Sequence, residues 1–413
     1  MSMLSTWSRR AQEGSLYALL LLLPFSKAAV EVSFGILFLA WMVERLDPKT
    51  RADTLWLQPS FRPLGLALLG FLAACALSIP FSTHPRLSVI GFIGKWVEYL
   101  LFFVIVADVA RRPGVVKRSL RVLVYSAVFV LLEAITQERY GRGFFLQFRL
   151  DFFSRMTGPY ENPIDLATYL MVIIPILWTF TIIRRKVLRW QVGGLLILLL
   201  VCFARTGAIG AWLGLCGGVL LIMATNSRSR KFGLVLLIAV VLGAVFVLGR
   251  QGHLGALSVS DIGAVDRMNM WRSAVQMIRD RPVLGQGLNT FMSNYLAYWV
   301  GGERQPRYAH NCYLQVAAET GLIGLLTFLV LLGLLFARLV RRLPHLHSND
   351  QMILVGLTTG LFAFVLHAAV DTDFYSLRQA AMFWVFAGLA LGLSARQNAQ
   401  ISVAYFERQQ SAV

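Results

Sequence analysis

The sequence predicts an all-α, polytopic membrane protein of about twelve transmembrane helices with one large, mainly helical extracytoplasmic insertion. Three observations carry that reading. Of the 413 residues, 57% are hydrophobic and only 15% charged, where a soluble domain carries about 25% charged residues. The apolar residues gather in runs of roughly 20, the helix length that crosses a ~30 Å hydrocarbon core. Lysine and arginine collect in short clusters between those runs, as loops on the cytoplasmic side of a membrane do.

In chain order the candidate spans cover residues 15–29, 30–45, 63–81, 91–110, 119–137, 162–183, 187–204, 206–224, 232–249, 310–337, 351–370 and 378–395. The first two are tightly joined around Pro24. Arg9 and Arg10 precede the first run, but no small-residue cleavage site follows it, so a retained first helix is expected rather than a signal peptide. The chain reads as a single integral membrane domain, 1–413, with an insertion at 250–309 between the ninth and tenth spans. No repeat or low-complexity tract is visible. Cys75, Cys202, Cys216 and Cys312 lie in or at the ends of apolar runs, without CxxC spacing, and read as small packing residues.

An even span count puts both termini on one side. Counting loop by loop, that side takes 23 of the 39 basic residues, including Arg111, Arg112, Lys117, Arg118 and Arg121, then Arg184, Arg185, Lys186 and Arg189, then Arg228, Arg230 and Lys231. It is therefore expected to be the cytoplasm. The formal charge of +18 does not indicate nucleic-acid binding, because no basic stripe interleaves with aromatics. On the opposite side, Arg139, Arg142, Arg149 and Arg155 crowd one short loop, and Arg205 stands alone between two spans. A long translocated insertion is exempt from the positive-inside rule; these positions are not. An arginine at the membrane edge needs an anionic partner, and the guanidinium fork suits phosphate oxygens. An extracytoplasmic site for a lipid-borne phosphate or pyrophosphate is expected. A carboxylate such as Asp165, Glu98 or Glu133 is the alternative partner for Arg205.

The stretch "RYAHNCYLQVAAETGLIG", Arg307 to Gly324, opens the tenth span with polar residues. At about 100° per residue, Asn311, Gln315 and Glu319 share one helical stripe, expected to face other helices. His310 is expected in the first turn, at the water edge; a solvated or capping histidine is the plainer alternative. In the insertion, Met268, Trp271, Val275 and Ile278 recur at helical spacing and predict an amphipathic helix ending near Pro282. Arg267 precedes that stripe and is singled out over Arg272 and Arg279, which read as a solvated face. Gly285-Gln286-Gly287 is a turn without the strand a dinucleotide fingerprint needs. The following "LNTFMSNYLAYWV" is apolar and aromatic on one face and suits the membrane surface. Asn162 and Pro163 suit the cap and first position of a helix. "HAAVDTDFYSLRQ" sets His367 and Asp371 one turn apart. Its Asp371-x-Asp373 spells a metal-dependent DxD, but faces away from nucleotide sugars, so a salt bridge to Arg378 or a helix-end cap is expected. No P-loop, HExxH, GxSxG or Cys/His metal cluster is present, and neither a cofactor nor a metal is expected.

These residues resemble the O-antigen ligase and polymerase superfamily. The resemblance rests on His310, Asn311, Leu314, Glu319, Gly321 and Gly324; on Arg267, Trp271, Pro282, Gly285 and Gly287 upstream; and, more loosely, on "GPYENPIDLATYL". It implies a membrane glycosyltransferase acting at the periplasmic face of the bacterial inner membrane. The implied donor is a glycan on undecaprenyl pyrophosphate and the implied acceptor, in ligases, a sugar of lipid A–core. Arg205 and Arg267 match the family's arginines and are expected to hold the pyrophosphate, whose developing charge they would stabilise. Arg142, Arg155 and Asn162 are further candidates, for donor or lipid A phosphates. His310 is expected to take the acceptor proton or orient the acceptor, since an imidazole titrates near ~6.5 when unperturbed. Asn311 and Glu319 are expected to support it. With no second carboxylate arranged as nucleophile, direct inverting displacement is implied. Polymerase and protein O-oligosaccharyltransferase activities stay open, although no extracytoplasmic arginine has glycine eleven positions on, the pattern associated with the polymerases. A transporter is the reading from another class; it would use the intramembrane Glu98, Glu133 and Glu319 as ion sites.

Overall fold

A computed structural model describes residues 3–151, 154–183, 186–225, 230–250, 262–302 and 304–410. Arg184, Arg185, Arg228 and residues 251–261 of the expected insertion lie outside them. Sixteen α-helices are ordered along the described residues: α1 Met3–Leu22, α2 Lys27–Glu44, α3 Pro48–Ala52, α4 Arg62–Ser78, α5 Pro85–Gly91, α6 Glu98–Ala110, α7 Val115–Tyr140, α8 Pro163–Ile183, α9 Lys186–Arg205, α10 Ile209–Thr225, α11 Arg230–Arg250, α12 Ile262–Asp280, α13 Phe291–Tyr295, α14 Cys312–Arg342, α15 Ser348–His367 and α16 Leu377–Gln410. No strand occurs among them; one isolated bridge joins Arg142 to Arg149. Among the described residues, seven helices are long and apolar enough to cross a membrane: Pro59–Ser78, Pro85–Ala110, Val115–Tyr140, Pro163–Ile182, Cys312–His345, Ser348–His367 and Leu377–Arg396. Apolar helices on α9, α10 and α11 are shorter. The protein is a multi-pass, helical membrane protein.

Local chemistry sets the helix ends. The expected first span, 15–29, is in fact split: α1 stops at Leu22, and Ser26 caps α2 by accepting from the Ala29 amide. Pro24 lacks the N–H that would continue α1. A π-helical turn, Phe92–Val97, fuses α5 to α6 and carries Lys95. Elsewhere glycines let helices touch backbone to backbone, the usual means of packing in lipid. A Cβ on Gly360 would lie 2.5 Å from the Val172 carbonyl of α8, and one on Gly392 would lie 2.5 Å from the Ala107 carbonyl of α6. α16 is buried along its apolar length, against α6, and its Phe383 and Trp384 rings interlock with Phe374 and Phe103.

Candidate functional site

His310 stands outside the helix it was expected to open. It takes a left-handed backbone, φ 45°, and Asn311 is the N-cap, its Oδ1 accepting from the amides of Tyr313 and Leu314. Capping explains the asparagine fully. The displaced histidine turns toward the 368–375 segment, where its Nδ1 lies 3.1 Å from Asp371 Oδ1. The same carboxylate oxygen accepts from the Thr372 amide at 2.7 Å. From the other side, Trp271 Nε1 of α12 donates to the His310 carbonyl at 3.4 Å. Cys312 ties the base of the arrangement, its amide donating to the Ala368 carbonyl and its Sγ to that of Asp371. His310 keeps 35% of its side chain exposed while Asp371 keeps 12%. One ring nitrogen is therefore held, and the other is reachable.

Glu319 builds the platform behind the histidine. Its carboxylate, 1% exposed, accepts from the Asn289 and Phe291 amides at 2.8 and 3.2 Å and from the Tyr375 hydroxyl at 3.0 Å. Gln315 joins it, bonding Glu319 with Nε2 and the Ala309 amide with Oε1. α14 breaks at Gly321 (φ 70°, ψ −177°). The break frees the Ala318 and Glu319 carbonyls, which accept from the Gln286 and Gly287 amides, each at 2.9 Å. Leu322 N–H then donates to the Pro282 carbonyl at 2.8 Å. Gly285 and Gly321 face one another so closely that a Cβ on either would enter the other strand's backbone. The Gly-Gln-Gly turn and the Glu-x-Gly motif are thus two halves of one docking joint. Lys95 reaches it from the π turn, bonding Asn289 Oδ1 at 2.8 Å.

The arginines divide. Arg267 lies one helical turn before Trp271, on the same face of α12, and within Coulombic range of His367. Arg205, at the end of α9, pairs with Glu138 at 2.7 Å rather than with Asp165, Glu98 or Glu133; both side chains are about two-fifths exposed, at 37% and 44%. Its carbonyl accepts from the Met156 amide, joining it to the arginine-rich loop. In that loop Arg155 is bonded to Asp151 at 2.7 Å, and Arg142 is exposed beside its bridge to Arg149. Asn162 caps α8, accepting from the Asp165 amide at 2.8 Å. Glu133 accepts from the Phe145 and Leu146 amides, so two of the three carboxylates a transporter would use are occupied by backbone.

Of the two roles the sequence left open for Asp371 and Asp373, a salt bridge to Arg378 or a helix-end cap, the salt bridge is not formed. α15 ends at His367, so Asp371 leaves the helical face and finds His310, while His367 Nδ1 pairs with Asp373 at 2.8 Å. Arg378 instead donates to the Pro24 and Pro159 carbonyls and lies over the Tyr160 ring. Burial opposes charge on both acids. At Asp371 the hydrogen bond from His310 and the nearby His367 prevail and hold the carboxyl down to about 2; at Asp373 burial prevails and pushes it up. Neighbouring acids driven apart in this way are a common mark of a working site. Ligand atoms of His367, Asp371 and Asp373 lie within 4.8 Å of one another and could hold a metal ion, though both acids already have imidazole partners.

The fold and this centre define a polytopic helical membrane protein with a carboxylate-held histidine just before a broken helix. Residues 194–329 match the family model described as O-antigen ligase, and the matched stretch includes Arg205, Arg267, His310 and Glu319. The chain is also similar to the exopolysaccharide production protein ExoQ of Rhizobium meliloti (strain 1021), 30% identical over 184 residues, or 40% of this chain. The similarity spans 39% of that relative's length.

Proposed function

We propose that the protein is an O-antigen ligase, moving a glycan from undecaprenyl pyrophosphate to a sugar hydroxyl of lipid A–core at the periplasmic face of the inner membrane. Twelve spans, cytoplasmic termini and a periplasmic 250–309 insertion belong to the same reading. The observation that carries it is the His310–Asp371 pair at 3.1 Å, whose histidine lies in the segment that matches the ligase family model. Asp371 fixes the imidazole through Nδ1, and Nε2 accepts the acceptor's proton as its oxygen attacks the anomeric carbon. The bond from that carbon to the pyrophosphate breaks, and Arg205 and Arg267 take up the charge on the departing lipid pyrophosphate. Base catalysis of this kind contributes about 10²–10⁴-fold. The name of the R. meliloti relative favours a second reading, in which the acceptor is another lipid-linked glycan and the product an exopolysaccharide.

The test uses purified protein in detergent with an undecaprenyl-pyrophosphate glycan, lipid A–core and EDTA, the products being resolved on a gel. Ligation predicts glycan on lipid A–core, lost in His310→Ala and Arg205→Ala. A glycan that lengthens on its own lipid makes the protein a polymerase. Transfer abolished by EDTA would move the chemistry to the His367, Asp371 and Asp373 cluster.

A further inference from the structure

The helices that frame His310 also frame something at their far ends. α14 and α16 start, and α15 finishes, beside the His310–Asp371 pair; the segments where α14 leads into α15, and the far part of α16, line a cavity of about 860 Å³. At 1.5 Å per residue the 20-residue α15 separates the two by about 30 Å. The cavity is lined by Arg9, Arg45, Arg111, Arg112, Lys117 and Arg396, six cations against four carboxylates. Their pairing is lopsided. Glu44 alone serves Arg9 at 2.7 Å, Arg112 at 2.6 Å and Arg45 at 3.7 Å. Asp108 is shared by Arg45 and Arg111, Asp53 also pairs with Arg111 at 2.8 Å, and Asp350 pairs with Lys117 at 3.2 Å.

Two guanidinium nitrogens are left over. Arg112 Nη1 and Arg45 Nε are buried without a hydrogen-bond partner, although each N–H of a buried guanidinium loses its water and needs a replacement. The 26-residue helix α7 begins at the same wall: Gly114, its N-cap, lines the cavity, and no side chain caps its first turn. Uncapped helix amides and convergent guanidinium groups share one preferred ligand, a tetrahedral oxyanion. We infer that this cavity is a second binding site, distinct from the His310 centre, for a phosphate-bearing anion held by Arg112, Arg45, Lys117 and the first turn of α7. An anionic phospholipid headgroup or a soluble phosphate carries the same chemistry.

The test uses the full chain. In one arm it is reconstituted in nanodiscs of phosphatidylcholine with and without phosphatidylglycerol, and retained lipid is read by native mass spectrometry. In the other it is held in zwitterionic detergent and its thermal shift is followed with inorganic phosphate or pyrophosphate. Arg112→Gln and Lys117→Gln are compared with Arg10→Gln, which removes an exposed cation near the same end of α1. Lys117 is half exposed (51%), so its variant keeps the fold if Arg112→Gln does not. Loss of one phosphate contact is expected to weaken binding ~5-fold in the cavity variants and not in Arg10→Gln. Retained phosphatidylglycerol identifies a headgroup; a shift with phosphate or pyrophosphate alone identifies a soluble anion. Binding in neither arm, or equal weakening by Arg10→Gln, overturns the inference.

Discussion

Replacing Asp371 with asparagine removes one negative charge and almost no volume. The amide oxygen can still accept from Thr372, whose bond in the native protein is 2.7 Å, so the turn survives. What is lost is the charged acceptor 3.1 Å from His310 Nδ1. Partners that orient a working imidazole are worth about 10–100-fold in activity, and a ring that is 35% exposed belongs at the lower end. We expect kcat for glycan transfer to fall ~10–30-fold with KM changed less than ~3-fold, since the loss falls on the transition state. His310→Ala is expected to lose ~10²-fold or more, and the double variant no more than His310→Ala alone. Stability supplies an independent readout. The Asp371 carboxyl, held down to about 2 from a usual ~3.9, contributes on the order of 2 kcal/mol to the native state. Because its native pKa is the lower one, that contribution is complete above about pH 5 and is lost as pH falls toward 2. The gap in melting temperature between wild type and Asp371→Asn should therefore be constant from pH 6 to 8 and narrow as pH falls from about 4 toward 2. An Asp371→Asn enzyme with native kcat, or a double variant in which the two losses multiply, would refute the pairing as a functional one.

Three further outcomes follow from the same geometry. Gly321→Ala places a Cβ against the Val283 carbonyl at a φ of 70°; a loss of ~3 kcal/mol or more, or failure to fold, is expected, and a melting temperature within 2 °C of native would contradict the docking joint. Glu319→Ala leaves the Asn289 and Phe291 amides without their acceptor, at ~1–3 kcal/mol for each buried group; limited proteolysis should then cut within 282–300 faster than in the native protein. Glu138→Gln releases Arg205 from its 2.7 Å partner. If Arg205 holds the pyrophosphate, donor KM should fall ~2–5-fold there and rise in Arg205→Ala, as read in initial-rate assays; movement in the same direction would remove Arg205 from the donor site.

The helices were legible because lipid demands long apolar runs, and α12 was legible from its Met268, Trp271 and Val275 spacing. The break between α1 and α2 was misplaced because apolar residues continue straight through Pro24, while the deciding feature is a single cap at Ser26. His310 was placed two residues too deep for a similar reason: the asparagine beside it takes the capping role, and the helix starts at Cys312. The Asp371 partnership joins residues 61 apart in sequence, and only the end of α15 at His367 makes it available. Glu138 escaped notice because an acid near a helix end in an arginine-rich loop is unremarkable until tertiary structure sets it against Arg205. The glycines of the two motifs could be quoted from sequence, but their mutual contact could not.

The break at Gly321 also decides where this protein can be divided. Three backbone hydrogen bonds and the Glu319 carboxylate join residues 282–291 to 318–322, so the first turns of α14 travel with α12 and the loop rather than with the remainder of their own helix. A chimaera that exchanged insertions with a relative by cutting at residue 309, where the apolar run starts, would sever that unit through its middle. One cut within the continuous helix after Leu322 would carry histidine, platform and amphipathic helix across together. Acceptor choice, wherever the insertion specifies it, is then inherited as a cassette of residues 262–322 by any recipient that supplies the Asp371 and Tyr375 partners of His310 and Glu319.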